Sequence, residues 1–365
     1  MTPPDAKRHP SLHRGVGVAL LAALLFGVSA PFAKLLLRDA APQLLAGLLY
    51  LGSGIGLGVV WLVQRRRAAG ESVREASLTG ADAPWLAGAT AFGGVLGPLL
   101  LMMGLARTPA SSASLLLNLE GVFTALLAWF VFRENFDRRI ALGMVAIVAG
   151  GALLSWQGRV TLGGVAGPLL VIGATLCWAI DNNLTQKVSK GDPVQIAMLK
   201  GLVAGTVNTA IALGLGAHWP TAPRLAGALT LGFLSYGVSL VLFVLALRQL
   251  GTARTGAYFS SAPFVGAALS LVIFRERPTV GFAAGAALMA LGVWLHLTER
   301  HEHEHRHELL VHEHGHVHDE HHQHEHAPGD PPVTDPVPHS HRHRHEPMVH
   351  AHAHYPDIHH RHGHE

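Results

Sequence analysis

Val18-Ala-Leu-Leu-Ala-Ala-Leu-Leu25 is apolar at every position and never alternates with polar residues. A strand that crosses a membrane alternates lipid-facing and lumen-facing positions, whereas a crossing helix is apolar all round. The run therefore predicts a membrane helix, and its apolar character extends from about residue 15 to 37 with one charge, Lys34. A helix needs about 20 such residues to cross about 30 Å of hydrocarbon. Working outward between Arg, Lys and Pro punctuation gives nine further runs, roughly 43–63, 84–106, 110–132, 140–157, 163–186, 194–216, 225–247, 255–274 and 279–298. Lys7, Arg8 and Arg14 precede the first run and Val28-Ser29-Ala30 looks like a cleavage site, but Pro31 and further apolar residues follow. That length exceeds a signal-peptide core, so a retained first span is expected.

Composition agrees. Only 14% of the 365 residues are charged and 49% are apolar, against about 25% charged in soluble domains. The charge is also divided. Residues 1–300 hold 23 Lys and Arg against 12 Asp and Glu, while residues 301–365 hold 4 against 12, together with 23 of the 27 histidines. This pattern argues against a soluble enzyme, a nucleic-acid binder and a disulfide scaffold, the last also because Cys177 is the only cysteine. With the N-terminus cytoplasmic, inner segments carry 15 cations and outer segments 6. The positive-inside rule then places both termini in the cytoplasm, and a bacterial inner membrane is the expected location.

An internal repeat sets the architecture. At an offset of 142, Phe132-Arg133-Glu134 returns as Phe274-Arg275-Glu276, and Ala141, Gly143 and Gly150 return as Ala283, Gly285 and Gly292. Spans 4 and 5 thus recur as spans 9 and 10. Five spans is an odd number, so the second copy is upside down, the common plan of secondary transporters with a site near the midplane. The predicted fold is an all-α integral membrane protein of ten helices in two inverted five-helix repeats, followed by a disordered tail. The expected division is 1–14 as an N-terminal segment, 15–157 and 158–298 as the repeats, and 299–365 as a His-rich cytoplasmic tail. Glycine at Gly52, Gly54, Gly56 and Gly58, and at Gly93, Gly94 and Gly97, suits close helix contact. Gly97-Pro98 and Pro263 are sites for a helix break, for packing or for exposing carbonyls to a cavity.

Leu25-Phe-Gly-Val-Ser-Ala-Pro-Phe-Ala-Lys34, Gly104-Leu-Ala-Arg-Thr-Pro-Ala-Ser-Ser-Ala113 and the two Phe-Arg-Glu triplets resemble the drug/metabolite transporter superfamily. In particular, residues 15–298 resemble a protein built from two EamA domains. That resemblance implies ten helices, alternating access and movement of small molecules without ATP hydrolysis. It points to an exporter of organic metabolites, with no enzymatic step, and leaves the solute open.

Ionisable groups at membrane depth are costly and mark function by default. Glu120 lies mid-span, and its repeat counterpart is Ala262. It reads as a cation or amine ligand, as a proton carrier, or as a buried acid bonded to a neighbouring helix. Asp181 and Lys200 are equidistant from the turn joining spans 6 and 7, so an antiparallel hairpin puts them at one depth. With Asn182 and Asn183 they form a polar cluster, either a clamp or a gate. Ser111, Ser114 and Asn118 make a stripe on span 4, about 200° around the helix from Glu120. Arg254, Tyr258 and Ser261 make another on span 9, where Ser260 is the counterpart of Asn118. Trp61, Trp85 and Trp219 fit an interfacial belt.

The tail carries His301, His303, His305 and His307, then His312, His314, His316 and His318, then His321, His322, His324 and His326, then His341, His343 and His345. With prolines between and almost no aromatics, it builds no packed core. Imidazoles suit Zn, Ni and Co, so low-specificity metal binding is expected there, though no cofactor is required. Alternatives to a metabolite exporter are a divalent-metal transporter fed by the tail and a membrane-anchored metal store or sensor. Expected partners are a small-molecule or ion substrate and the lipid bilayer, with no nucleic acid; a homodimer is compatible with this plan.

Overall fold

The protein, examined as a computed structural model, is described over residues 10–67, 78–132, 138–155, 162–188, 191–250 and 252–297, and over four short tail strands. Span 1 is α1 (Pro10–Gly27) followed by α2 (Ser29–Leu36), and span 2 is α3 (Pro42–Arg67). Span 3 is α4 (Ala83–Ala89), a π-helical segment (Thr90–Leu96) and α5 (Gly97–Arg107). Span 4 is α6 (Ala110–Leu116) and α7 (Leu119–Phe132), and span 5 is α8 (Arg138–Ser155). Spans 6 and 7 are α9 (Leu162–Val188) and α10 (Pro193–Gly214). Span 8 is α11 (Ala222–Gly232), a second π-helical segment (Phe233–Val238) and α12 (Ser239–Leu250). Span 9 is α13 (Thr252–Phe259) and α14 (Ala262–Phe274), and span 10 is α15 (Val280–Leu297). Among the described residues eight spans are long and apolar enough to cross a membrane, while Ala262–Phe274 and Val280–Leu295 are shorter apolar helices.

The contacts between spans have two-fold order. Span 2 packs on span 7, span 4 on span 9, and span 5 on span 10. Span 3 packs on span 6 as span 8 packs on span 1, and span 4 meets span 6 as span 9 meets span 1. Adding five to each number exchanges these pairs, the relation that two inverted copies demand. Lipid tails give helices no hydrophobic reason to associate, so close backbone approach has to supply it. At the crossing of spans 2 and 7, a Cβ on Gly201 would lie 2.6 Å from the Gly54 nitrogen. At the crossing of spans 5 and 10, one on Gly150 would lie 2.7 Å from the Gly285 carbonyl, and one on Gly285 would lie 3.0 Å from the Gly150 carbonyl. No side chain fits at either crossing without moving a backbone.

Several spans depart from the uninterrupted helices that the apolar runs predict. Span 1 breaks at Val28, span 4 at Leu117 and Asn118, and span 9 at Ser260 and Ser261. The π-helical segments of spans 3 and 8 occupy matching places, since residues 91–96 plus the repeat offset are 233–238. Proline explains where the later halves begin. Pro31, Pro98 and Pro263 each sit in the first turn of α2, α5 and α14, where a missing N–H costs nothing.

Surface ion pairs add little to this frame. Arg224 lies 2.8 Å from Asp39, with both side chains about half exposed. Arg224→Ala is therefore expected to change stability by less than about 1 kcal/mol, as read by thermal unfolding in detergent.

In the tail, β1 (Glu302–Arg306) pairs with β4 (Val349–Ala353) and β2 (Leu310–His316) with β3 (His339–His345), all antiparallel. A two-stranded ribbon alone is marginal in water, in keeping with a segment that builds no core. The side chains of the tail histidines lie outside the described residues.

Candidate functional site

The irregular parts of the helices converge at mid-depth. Glu120 is in the first turn of α7, just past the break in span 4, about 15 Å along the helix from Ala110 at ~1.5 Å per residue. Asn182 of span 6 donates through Nδ2 to Glu120 Oε1 at 2.8 Å and approaches Thr124 Oγ1 at 3.5 Å. Glu120 is partly exposed and Asn182 is exposed. At this depth hydrocarbon offers a carboxylate and an amide no partners, and here they partner each other.

One turn along the same face of α9 from Asn182 stands Trp178, in the i, i+4 relation that brings helical side chains together. It belongs to an aromatic cluster drawn from five spans. The Phe26 ring centroid lies 6.1 Å from Trp178, 6.0 Å from Tyr236 and 5.3 Å from Phe259, and Tyr50 lies 5.5 Å from Tyr236. These separations are those of favourable ring pairs. Trp178 is buried, whereas Phe26, Tyr50, Tyr236 and Phe259 each keep some exposure. Tyr50 also lies within the electrostatic reach of Asp181 and Glu120, which ties the rings and the acids into one region.

The π-helical segment of span 3 closes one side. Widening a helix by one residue frees carbonyls from the regular ladder, and side chains from other spans take them up. Tyr50 Oη donates to the Gly93 carbonyl at 2.7 Å and Trp178 Nε1 donates to the same oxygen at 3.0 Å. Asn208 Nδ2 reaches the carbonyls of Gly94 and Val95, each at 3.3 Å. Tyr50→Phe and Trp178→Phe are each expected to cost about 1 kcal/mol. Together they leave the Gly93 oxygen with neither donor, so the double variant should lose more than the two single losses combined. Thermal unfolding of the three variants checks this.

Behind that segment lies a buried ion pair. Lys200 Nζ stands 2.6 Å from Asp181 Oδ1 and 2.7 Å from Oδ2, and Thr185 Oγ1 donates to Oδ1 at 2.8 Å. Gly93 packs directly against the Asp181 carboxylate, leaving no room there for a Cβ. The lysine neutralises the aspartate, whereas among the described residues Glu120 is held by an amide and not by a cation.

The remaining polar positions go elsewhere. Ser114 donates to Ala110 O at 2.8 Å, and Asn118 Nδ2 donates to Leu115 O at 3.0 Å with Met289 Sδ at 4.0 Å. Both are buried and serve the broken helix itself. Asn183 donates to Ala179 O, Ser260 to Gly256 O, and Ser261 to Tyr258 O. Tyr258 packs beside Ala19 and Ala246. Ser111 is at the rim, with Glu276. A cavity of about 650 Å³ also opens at that rim, lined by residues that include Leu37, Asp39, Gln43, Leu215 and His218. Among the described residues no group of three or more His, Cys, Asp or Glu side chains converges.

A bundle of paired, broken helices around a polar and aromatic midpoint is the frame of a membrane transporter, and the comparisons with known proteins agree. The EamA-like transporter family matches residues 13–156 and again residues 165–298. An uncharacterized transporter of Methanothermobacter thermautotrophicus is 30% identical over 289 residues, 76% of this chain and 84% of that protein. The uncharacterized transporter YvbV of Bacillus subtilis is 24% identical over 294 residues, covering 79% and 93%. A probable 4-amino-4-deoxy-L-arabinose-phosphoundecaprenol flippase subunit, ArnE, of Pseudomonas fluorescens is 48% identical over 59 residues, 16% of this chain and 51% of that one. A solved crystal structure shares the fold with a TM-score of 0.57 at 17% identity, covering 77% of this chain and 95% of the other. The chain belongs to the EamA-like transporter family and is an integral membrane transporter.

Proposed function

We propose that this transporter exports small organic solutes carrying an amine or other cationic group, by alternating access and without ATP hydrolysis. The observation that carries this reading is the Glu120–Asn182 pair inside the bundle, with Trp178 of the aromatic cluster one helical turn from Asn182. The π-helical segments of spans 3 and 8 stand at matched places in the two repeats, and spans 4 and 9 are both broken near their middles. A carboxylate without a cationic partner attracts a positive charge, and aromatic faces receive a cation or an apolar body. The lysine-bound Asp181 offers no such attraction. Charge placement along the sequence supports cytoplasmic termini, and the outward direction, like the bacterial inner membrane, is proposed from the family resemblance. The tail is proposed to bind Zn, Ni or Co weakly through its imidazoles, with no required cofactor. A divalent-metal cargo draws no support from the described bundle, which lacks a convergent ligand set.

Thermal-shift screening of purified protein tests the reading, because a ligand stabilises the state that it binds. Amino acids, polyamines, amino sugars, neutral sugars and divalent ions are the arms. Amino sugars are included because the partly matching ArnE carries an amino sugar in its name. The expected result is stabilisation by an amine-bearing class that is lost in Glu120→Gln. Stabilisation only by divalent ions, retained in Glu120→Gln and lost on removing residues 301–365, contradicts it.

A further inference from the structure

The turn between spans 9 and 10 reaches across the boundary between the repeats. Glu276 accepts a hydrogen bond from the Ala110 backbone N–H at 3.1 Å and another from the Ser111 hydroxyl. Ala110 and Ser111 open α6 in the first repeat, whereas Glu276 belongs to the second. The backbone is bent to make this contact. Arg275, at the end of α14, has φ 52° and ψ 36°, the only left-handed non-glycine conformation among the described residues. An arginine gains nothing intrinsic from that conformation, but it ends the helix and turns Glu276 back over α6. Lys34 of span 1 joins the same rim, donating to the carbonyls of Leu105 and, at 2.9 Å, Thr108. It also lies in the field of Glu276. Three segments from both repeats are thus tied at one mouth of the bundle.

We propose that Glu276 is a latch on the extracellular mouth, bonded to α6 while the central site faces the cytoplasm and released when spans 4 and 9 part at that end. This rests on the alternating-access reading above. The bonds join α6 of span 4 to the turn that follows α14 of span 9, so a movement that separates these two spans at the rim has to break them. They are charge-assisted, so together they favour the closed state. Glu276 also keeps partial exposure, so water can replace its partners when it lets go. Asp181 and Lys200 differ on each count. They are buried and both lie in the hairpin of spans 6 and 7, within one repeat.

The test is sided labelling of a cysteine placed at Asn182 in a Cys177→Ser background, using a membrane-impermeant maleimide. Intact cells report access from outside, and inverted vesicles report access from the cytoplasmic face. Glu276→Ala is expected to raise the outside rate about tenfold relative to the inside rate, as loss of a charge-assisted bond implies. Ser111→Ala and Glu276→Gln shift the ratio the same way by less, and serve if Glu276→Ala does not fold. A Glu276 that merely caps α6 would lower thermal stability and leave the ratio unchanged in all three variants, and that outcome overturns the latch. Should position 182 in the parent react from neither face, alternating access itself falls; labelling from both faces with no shift in the variants sinks the latch alone.

Discussion

Lys200→Met is expected to destabilise the folded bundle by about 3–5 kcal/mol, because it leaves the Asp181 carboxylate buried without its cation. Both oxygens of that carboxylate lie within 2.7 Å of Lys200 Nζ, and the two side chains are only 9% and 12% exposed. Thr185 supplies one further hydrogen bond, which cannot replace a charge. The loss should propagate, since Asp181 packs on Gly93, whose carbonyl holds Tyr50 and Trp178. Adding Asp181→Asn to Lys200→Met removes the orphaned charge, and most of the lost stability should return. Unfolding in graded SDS, followed by tryptophan fluorescence, measures all three proteins. A Lys200→Met variant within about 1 kcal/mol of the parent would mean that the aspartate is not charged or not dry.

Gly201→Leu is the second large effect, expected to cost about 3 kcal/mol or more through overpacking. Spans 7 and 2 cross here with their backbones in contact. A Cβ there meets the Gly54 nitrogen at 2.6 Å, the Gly54 Cα at 2.7 Å and the Tyr50 carbonyl at 2.9 Å, all of them backbone atoms that cannot step aside. Gly58→Leu on the facing helix is the control. Its nearest neighbour would be the Met198 sulfur at 3.7 Å, so a change within about 0.5 kcal/mol is expected there. Equal losses at the two positions, in the same unfolding assay, would show that leucine on these helices is harmful for reasons other than the crossing.

The spans were readable because each is a local property, a run of apolar residues whose length matches the bilayer. Asp181 and Lys200 were readable for a similar reason, since a tight hairpin fixes depth by counting from its turn. The breaks were less so. Leu117, Asn118, Ser260 and Ser261 are ordinary residues inside a helix, and only the prolines that open α2, α5 and α14 gave a signal. That signal pointed to Pro98 and Pro263 without saying what the interruption does.

The aromatic cluster was invisible. Phe26, Tyr50, Trp178, Tyr236 and Phe259 are isolated in sequence, and only the folded bundle brings them together. The stripe of Ser114 and Asn118 pointed the other way, because such groups also satisfy the backbone of their own helix. The repeated Phe-Arg-Glu triplet served only to set the repeat and the resemblance and gave Glu276 no role. Its partners on α6 lie 165 and 166 residues away and follow from the two-fold relation rather than from any local pattern.

The central claim is that an organic solute crosses through the site at Glu120. Counterflow in proteoliposomes tests it most directly, using the amine-bearing solute that stabilises the purified protein most. Vesicles loaded with unlabelled solute should transiently concentrate the labelled form above its equilibrium level. Vesicles holding Glu120→Gln of matching thermal stability should not. Equal counterflow by the parent and Glu120→Gln would contradict the claim.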